Sequence, residues 1–255
     1  MMKMLGDKII LVTGAASGIG EASAIRIAAA GARVVVSDIS VEAGEAVAAG
    51  IRKQGGNASF MRADVGVEAD VCALVERVVS ACGRIDGAFN NAGIVQCGKR
   101  LHELTTEEWD RALRIDLSGV FWCIKYQVLA MLRSGGGSIV NTASSLGQVA
   151  IPNAAEYVAA KHGVMGLTRA AAADYGAAGI RVNAILPGII QTPVIDELSK
   201  NPAFKVFLEK LRDRHSIGRF GQPHEIGDAA IWLMSDFASF VNGAGVAVDG
   251  GYLSN

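Results

Sequence analysis

Tyr157 and Lys161 form a pair whose types and spacing could do acid–base chemistry. A spacing of four residues in a helical pattern puts both side chains on one face of a helix. A free tyrosine, with a pKa of about 10, is a poor base at neutral pH. A nearby ammonium favours the phenolate and lowers that pKa. Taken alone, such a pair is also typical of a solvated helix face, so its meaning depends on the surrounding pattern.

Ser144 is a candidate hydroxyl for the same chemistry. It follows the predicted strand Ser138–Thr142, and open α/β sheets bind their ligands at the carboxyl ends of their strands. Its hydroxyl can hydrogen-bond the oxygen of a substrate. The neighbouring Ser145 is the alternative.

A glycine-rich turn follows the first predicted strand. Three glycines between a strand and a helix are typical of a dinucleotide-binding turn, because they allow a tight turn, a close approach to a pyrophosphate and close helix–strand packing. The N–H groups and the dipole of the helix N-terminus favour the phosphates. The residues predicted to contact a cofactor here are Gly14, Ser17, Gly18, Ile19 and Gly20.

Asp38 refines the cofactor prediction. It lies 18 residues after Gly20, at the end of the second predicted strand. A carboxylate there can accept hydrogen bonds from the adenosine ribose and repels a 2′-phosphate. No Arg or Lys occupies positions 14–20 or 37–41. The cofactor is therefore predicted to be NAD and not NADP; a turn or helix-cap role for Asp38 is compatible with this.

Short apolar strands that alternate with helical segments must position these residues. Val71, Leu74, Val75, Val78 and Val79 show the helical period. The alternation predicts an α/β fold, a doubly wound Rossmann-type seven-stranded parallel sheet with helices on both faces, in a single domain. The strands are predicted at Ile9–Val12, Arg33–Ser37, Ser59–Ala63, Gly87–Asn90, Ser138–Thr142, Arg181–Leu186 and Gly245–Val248.

Two further features belong to this organisation. Several of the 31 glycines precede strands and are predicted to end helices in the left-handed conformation: Gly31, Gly55, Gly83, Gly135 and Gly179. A charge-rich segment at about residues 190–220 interrupts the alternation. It is interpreted as a helical insertion, either a lid over the substrate or a plain surface excursion.

Composition excludes several other classes of protein. The 24 Lys and Arg balance 25 Asp and Glu, and no basic cluster offers a footprint for nucleic acid. No window of 18 uncharged apolar residues predicts a membrane span. Scattered histidines and cysteines predict no metal site, and Cys72, Cys82, Cys97 and Cys123 are interpreted as buried small hydrophobes in a reducing cytoplasm.

The glycine spacing is GxxxGxG, and with it the chain resembles the short-chain dehydrogenase/reductase family from Lys8 to Tyr252. Further matching motifs are Asp64-Val65, Asn90-Asn91-Ala92-Gly93, Ser144, Tyr157-Val-Ala-Ala-Lys161, and Pro187-Gly188 with Thr192. Ser144 lies 13 residues before Tyr157, which is the usual spacing in the family and favours Ser144 over Ser145.

The resemblance implies a role for each matching position. Ser144 and Tyr157 would hold an alcohol oxygen, Tyr157 would take its proton, and Lys161 would bind the nicotinamide ribose and stabilise the phenolate. Asp64 and Val65 would hold the adenine. The cofactor cleft would be lined by Asn90, Asn91, Ala92 and Gly93, and its nicotinamide end by Pro187, Gly188, Ile190 and Thr192.

Asp116 departs from the family pattern, which has an asparagine 28 residues before the serine. That asparagine holds a water in a proton relay to the lysine. If the backbone carbonyl carries the relay, Asp116 changes little. If the side chain matters, a carboxylate near Lys161 would stabilise the ammonium and oppose the phenolate. A salt bridge to Arg114 or another cation is a third reading.

The expected reaction is hydride transfer between NAD and an uncharged, cyclic secondary alcohol or ketone. Stretches at 86–92, 125–131 and 156–162 resemble bacterial cyclic-diol dehydrogenases. Relatives are commonly homotetramers. The alternatives are a non-catalytic dinucleotide sensor and a 3-oxoacyl-thioester reductase. The substrate region is expected to contain Gln96, Leu146, Gln148, Pro152, Asn153, Ile189, Ile190 and the insertion.

Overall fold

The computed structural model of the protein describes residues 3–95, 98–200 and 208–254. Seven strands form one parallel sheet in the order β3-β2-β1-β4-β5-β6-β7. The strands are β1 (Ile9–Thr13), β2 (Arg33–Asp38), β3 (Asn57–Arg62), β4 (Gly87–Asn90), β5 (Gly137–Thr142), β6 (Ile180–Pro187) and β7 (Gly245–Val248). The predicted seven-stranded parallel sheet is thereby confirmed.

Helices follow the strands along the chain. They are α1 (Gly18–Ala29), α2 (Val41–Lys53), α3 (Glu68–Cys82), α4 (Thr106–Leu113), α5 (Gly119–Ser134), α6 (Ala155–Tyr175), α7 (Pro193–Ser199) and α8 (Pro223–Met234). A π-helical turn, Arg114–Ser118, joins α4 to α5. The helix predicted from Val71 to Val79 is α3, with Val71, Leu74, Val75 and Val78 buried and Val79 partly buried.

Hydrophobic clusters cover both faces of the sheet, which explains why its strands are apolar throughout. Ile10 and Val12 of β1 belong to a cluster with residues of α1, α2 and α8. Ile9 and Leu11 belong to a second cluster with residues of α3, α5 and α6. Successive side chains of a strand point to opposite faces, so a single strand contributes buried residues to both clusters.

The strand order reverses between β1 and β4, because the chain runs outward to β3 on one side and to β7 on the other. A crevice at such a point, outside the carboxyl ends of the strands, is where open α/β sheets bind ligands. The loops that follow β1, β4, β5 and β6 all open at this edge. These loops carry most of the residues selected from the sequence.

The glycines predicted to end helices have positive φ angles. Gly135 after α5 and Gly179 before β6 are in the left-handed region, with φ of 91° and 78°. A left-handed residue reverses the chain out of a helix, and only glycine does so without a Cβ penalty. The helix-to-strand turns therefore follow from residue type.

Within the segment at 190–220, α7 and residues 208–212 are helical, and residues 213–219 form turns and bends. Among the described residues of this segment no strand forms, although Ile190 makes an isolated parallel bridge to Gly221. Residues 201–207 lie outside the described residues. The segment is thus anchored where it leaves β6 and where it meets α8.

One helical stretch, Thr106–Ser134, is long and apolar enough to cross a membrane by length and composition alone. Half of its most apolar window is buried in the fold, and it packs against α3 and α6. Such burial is typical of a core helix. Cys123 lies in this helix, and burial raises the pKa of its thiol to about 12. Cys72 and Cys82 are half-buried, and Cys97 lies outside the described residues.

Candidate active site

The turn after β1 has the backbone of a phosphate-binding loop. Gly14 and Gly18 have φ of 63° and 56°, values that a residue with a Cβ adopts only with strain. A Cβ at Gly20 would overlap the carbonyl oxygen of Gly14. Because α1 begins at Gly18, its first N–H groups face this turn and have no partners inside the helix. The turn can therefore accept an anion close to its backbone.

The loop after β4 is tied directly to this turn. Thr13 Oγ1 accepts hydrogen bonds from the N–H groups of Asn91 and Ala92, at 3.1 and 3.2 Å. The Asn91 amide donates to the carbonyl oxygens of Thr13 and Gly14. A Cβ at Gly14 would lie 2.6 Å from Ala92 Cα. The structure thus brings Gly14, Asn91 and Ala92 together as one wall of the crevice.

The resemblance implies that Asn90 lines the cofactor cleft, but the structure places its side chain elsewhere. Its side chain is 3% exposed and donates to Gln127 Oε1 and Asn141 Oδ1, at 3.0 and 2.9 Å. Gln127 returns a hydrogen bond to Asn90 at 2.7 Å, and Asn141 donates to Thr168 at 3.0 Å. Buried amides satisfy their polar atoms in this way. The Asn90 side chain therefore joins β4 to α5 and β5 inside the protein and does not line the crevice.

Two acidic residues lie at the carboxyl ends of neighbouring strands, Asp38 at the end of β2 and Asp64 after β3. Asp38 accepts hydrogen bonds from the N–H groups of Ala16 and Ser40, both at 3.0 Å, so its carboxylate lies beside the glycine turn. These two hydrogen bonds also give Asp38 a role in the local turn, which is compatible with binding a cofactor. Asp64 Oδ1 accepts from the Gly66 N–H at 2.8 Å. Val65, after Asp64, is 9% exposed.

Lys161 and Tyr157 lie near the end of β5. Both belong to α6, and Lys161 Nζ is 5.3 Å from the centre of the Tyr157 ring. Lys161 is 3% exposed and donates to the carbonyl oxygen of Thr142, the last residue of β5, at 3.1 Å. This contact, which the sequence motif did not reveal, holds the ammonium at the edge of the sheet beside the phenol.

Ser144 is brought to the same edge by the short turn Ser145–Gly147. A Cβ at Gly147 would lie 2.9 Å from the Lys161 carbonyl oxygen, so this glycine lets the turn pack directly on α6. Ser144 Oγ accepts from the Leu146 N–H at 3.1 Å. That bond uses a lone pair of the oxygen and leaves the hydroxyl proton to donate to a ligand.

Asp116 lies beside Lys161, in the π-helical turn between α4 and α5. Its Oδ1 is 3.7 Å from Lys161 Nζ and accepts from the Ile94 N–H at 3.0 Å. The residue is 1% exposed, and Oδ2 is a buried oxygen without a hydrogen-bond partner. Burial raises the pKa of Asp116, while the charge of Lys161 acts in the opposite direction. Asp116 therefore forms an ion pair with Lys161, and the charge of Arg111 also lowers its pKa.

Gly93 is required by this arrangement. A Cβ at Gly93 would lie 2.5 Å from Asp116 Oδ1 and 3.6 Å from Lys161 Nζ. The loop after β4 therefore runs directly over the Asp116–Lys161 pair. Glycine at position 93 thus lets the loop after β4, which also contacts the glycine turn, pack against the Asp116–Lys161 pair.

The loop after β6 closes the other side of the crevice. Thr192 Cγ2 lies 3.4 Å from the position that a Cβ of Gly18 would occupy. Pro187 is the last residue of β6. Gly188 is packed so closely that a Cβ there would lie 2.7 Å from His215 Nε2. The Ile190 side chain, by contrast, packs in the hydrophobic cluster with Ile226.

The expected substrate region is only partly described. Leu146 is buried, whereas Gln148 and Pro152 are exposed. Asn153 has a φ of 62°, and its carbonyl oxygen accepts from the Gly98 N–H at 2.7 Å, which ties the loop before α6 to the loop after β4. Gln96 lies outside the described residues.

Comparison with known proteins gives the family. A family model described as "Enoyl-(Acyl carrier protein) reductase" matches residues 14–253. A 2,5-dichloro-2,5-cyclohexadiene-1,4-diol dehydrogenase of Sphingobium indicum is 50% identical over 98% of this chain and 99% of its own length. A cyclohexanol dehydrogenase of Acinetobacter sp. is 44% identical over 100% of this chain and 98% of its own.

A solved structure agrees with this relationship. A crystal structure from Agrobacterium tumefaciens, described as a 2-deoxy-D-gluconate 3-dehydrogenase "with bound NADP", superposes with a TM-score of 0.89 at 35% identity, covering 98% of each chain. The chain belongs to the short-chain dehydrogenase/reductase family. It is thus an oxidoreductase of a family that uses a nicotinamide dinucleotide and acts on small molecules.

Proposed function

We propose that the protein is an NAD-dependent alcohol dehydrogenase and ketone reductase that acts on uncharged, cyclic secondary alcohols. The observation that carries the proposal is the buried Lys161 ammonium, 5.3 Å from the Tyr157 ring, at the strand edge that also holds Ser144 and the glycine turn. This arrangement can hold an alcohol oxygen, remove its proton and face a dinucleotide.

In alcohol oxidation, Tyr157 is the base. The Lys161 ammonium favours its phenolate form by charge attraction, and the phenolate oxygen takes the proton of the substrate hydroxyl. Ser144 donates a hydrogen bond to the same substrate oxygen. In ketone reduction the phenol returns the proton. General acid–base catalysis of this kind contributes about 10²- to 10⁴-fold to a rate.

The crevice suits a dinucleotide because Gly14 and Gly20 let the turn after β1 pack against the loop after β4 and against itself, where a Cβ would meet protein atoms. The N–H groups at the start of α1 then face the position of the phosphates. Gly14, Ser17, Gly18, Ile19 and Gly20 would hold the phosphates. Asp38 would hold the adenosine ribose, Asp64 with Val65 the adenine, and Asn91 to Gly93 the middle of the cleft. Lys161 with Tyr157 would hold the nicotinamide ribose. Pro187, Gly188, Thr192 and the backbone of Ile190, whose side chain packs in the core, would hold the nicotinamide end. When bound, the nicotinamide supplies the hydride acceptor or donor.

NAD is proposed over NADP on the chemistry of Asp38. Its carboxylate lies beside the turn that would hold the phosphates, where it would repel a 2′-phosphate. One structural neighbour has NADP bound, so the two cofactors must be compared directly. NAD-dependent turnover at least tenfold above NADP-dependent turnover supports the proposal.

The Asp116 side chain is proposed to set the pH dependence of the reaction. Its charge would act against the Tyr157 phenolate, while it anchors the Lys161 ammonium at 3.7 Å. The competing reading, a proton relay through the backbone carbonyl of residue 116, assigns the side chain no role. The pH–rate profile of Asp116→Asn distinguishes the two readings.

The proposed substrate class rests on the names of the relatives, which are dehydrogenases of a cyclic diol and of cyclohexanol. The experiment is a screen of cyclic and linear secondary alcohols, cyclic ketones and acyl thioesters with NAD(H) and NADP(H). Turnover of thioesters alone favours the reductase alternative that the family model describes. Binding of NAD without turnover in the whole panel favours a dinucleotide sensor.

A homotetramer in the cytoplasm is proposed for the assembled enzyme. Phe121, Leu129 and Leu132 on α5 are each about half exposed, and exposed apolar patches mark association surfaces. Light scattering coupled to gel filtration measures the subunit number. A monomer at micromolar concentration contradicts this part of the proposal.

A further inference from the structure

His215 is a buried histidine outside the catalytic cluster. It is 2% exposed, and both ring nitrogens have partners. Nδ1 is 2.9 Å from the carbonyl oxygen of Leu211, and Nε2 is 3.0 Å from the backbone nitrogen of Ile189. A carbonyl only accepts and a backbone N–H only donates. Nδ1 therefore carries the proton, and Nε2 is the bare acceptor of a neutral imidazole.

The imidazole stands where three segments meet. It lies edge-on to Phe220, with ring centres 5.8 Å apart, and tilted against Tyr252 at 5.2 Å. Arg214 covers the Tyr252 ring at 4.3 Å and donates to its hydroxyl at 3.0 Å. The ring thus connects the loop after β6, the segment from 208 to 220, and the C-terminal turn.

The loop after β6 has no space to move toward this ring. A Cβ at Gly188 would lie 2.7 Å from His215 Nε2 and 2.9 Å from the Asp249 carbonyl oxygen. The single proton of the Ile189 N–H is used in the bond to His215. A displaced or shortened side chain at 215 would leave this partly buried donor unsatisfied and open space behind Gly188.

We propose that His215 is a positioning residue that sets the affinity for the nicotinamide half of the dinucleotide without touching it. It does so by holding Gly188 and Ile189 in the conformation that receives the nicotinamide end. This role rests on the proposed function, which puts that end of the cofactor against the loop after β6.

Two amide variants separate the two hydrogen bonds of the ring. An asparagine amide reaches about as far as Nδ1, so His215→Asn keeps a donor for Leu211 and removes the acceptor for Ile189. A glutamine amide reaches the position of Nε2, so His215→Gln keeps that acceptor. The exposed His224 of α8 provides the matched control, His224→Asn.

The experiment is a calorimetric titration of each variant with NAD and with ADP-ribose, which lacks the nicotinamide. His215→Asn should raise the Kd for NAD about tenfold, or about 1.4 kcal/mol, the size expected when a partly buried donor loses its acceptor. Its Kd for ADP-ribose should stay within about twofold, because the proposed function places only the nicotinamide end, which ADP-ribose lacks, against Gly188 and Ile189. His215→Gln should restore most of the NAD affinity, and His224→Asn should bind like the wild type.

Three results would overturn the role. Equal weakening of NAD and ADP-ribose would make His215 a general stability residue, and unchanged NAD affinity in His215→Asn would remove it from the site. A wild-type protein that binds neither ligand would overturn the dinucleotide site itself, and with it this role. If His215→Asn does not fold, Gly188→Ala tests the same loop, since its Cβ meets Nε2; loss of NAD but not ADP-ribose affinity is again expected.

Discussion

Replacement of Asp116 by asparagine tests the electrostatics of the site with almost no change in shape. Asparagine keeps an oxygen for the Ile94 N–H, which Asp116 Oδ1 accepts at 3.0 Å. Lys161 keeps its hydrogen bond to the Thr142 carbonyl at 3.1 Å, so its ammonium stays in place. The change that remains is the loss of one buried negative charge.

The size of the effect follows from the distances. Asp116 Oδ1 is 3.7 Å from Lys161 Nζ, which is 5.3 Å from the Tyr157 ring centre, so the charge lies within about 9 Å of the phenol. At an effective dielectric constant of about 20, that charge opposes the phenolate by about 1.8 kcal/mol. This corresponds to about one pH unit, at 1.36 kcal/mol for each unit.

The sign is set by the direction of the reaction. Alcohol oxidation needs the phenolate, and removal of a nearby negative charge makes the phenolate available at lower pH. The acidic limb of the kcat/KM profile should therefore move down by about one pH unit in Asp116→Asn. Burial raises the pKa of Asp116, so wild type and variant should converge at pH values where its carboxyl is already neutral.

The assay is NADH formation with a cyclic secondary alcohol between pH 5 and 10. Asp236→Asn makes the same charge change on a side chain that is 92% exposed, and it should leave the profile where it is. A limb that does not move in Asp116→Asn would show that the side chain carries no charge felt by Tyr157. A limb that moves upward would refute the electrostatic reasoning.

Three other substitutions and one control variant test the rest of the site. Tyr157→Phe should lower kcat by at least about 10² and leave the NAD Kd within about twofold; equal loss of binding would contradict its acid–base role. Asp38→Asn should reduce the ratio of kcat/KM for NAD over NADP at least about tenfold, because the charge that repels a 2′-phosphate is gone; an unchanged ratio would place discrimination elsewhere. Gly20→Ala should destabilise the protein by about 1–3 kcal/mol and abolish NAD binding, since its Cβ meets the Gly14 carbonyl. Gly50→Ala, in open space within α2, should raise the free energy of unfolding by up to about 1 kcal/mol. Equal chemical denaturation curves for the two variants would refute this.

Local hydrophobic patterns in the sequence predict the strands and helices of this protein. The apolar runs predict all seven strands. The helical period of α3 appears in Val71, Leu74, Val75, Val78 and Val79. The motif spacing also selects Ser144, Tyr157 and Lys161 before any contact is known. These features follow from neighbouring residues, because periodicity and backbone preference act within a few residues.

Long-range contacts decided what the motifs alone left open. The sequence is compatible with three interpretations of Asp116. The tertiary packing places its carboxylate 3.7 Å from the Lys161 ammonium and not against Arg114. The same holds for Asn90, whose neighbours Gln127 and Asn141 are 37 and 51 residues away.

His215 has no motif around it, and its bond to Ile189 spans 26 residues. The residue types and their spacing thus determined the strands, the glycine turn and the catalytic candidates. The tertiary structure decided which charged groups lie close together, as Asp116 and Lys161 do, and which side chain holds each loop, as His215 does. These interactions depend on distances in space that separation along the sequence does not set.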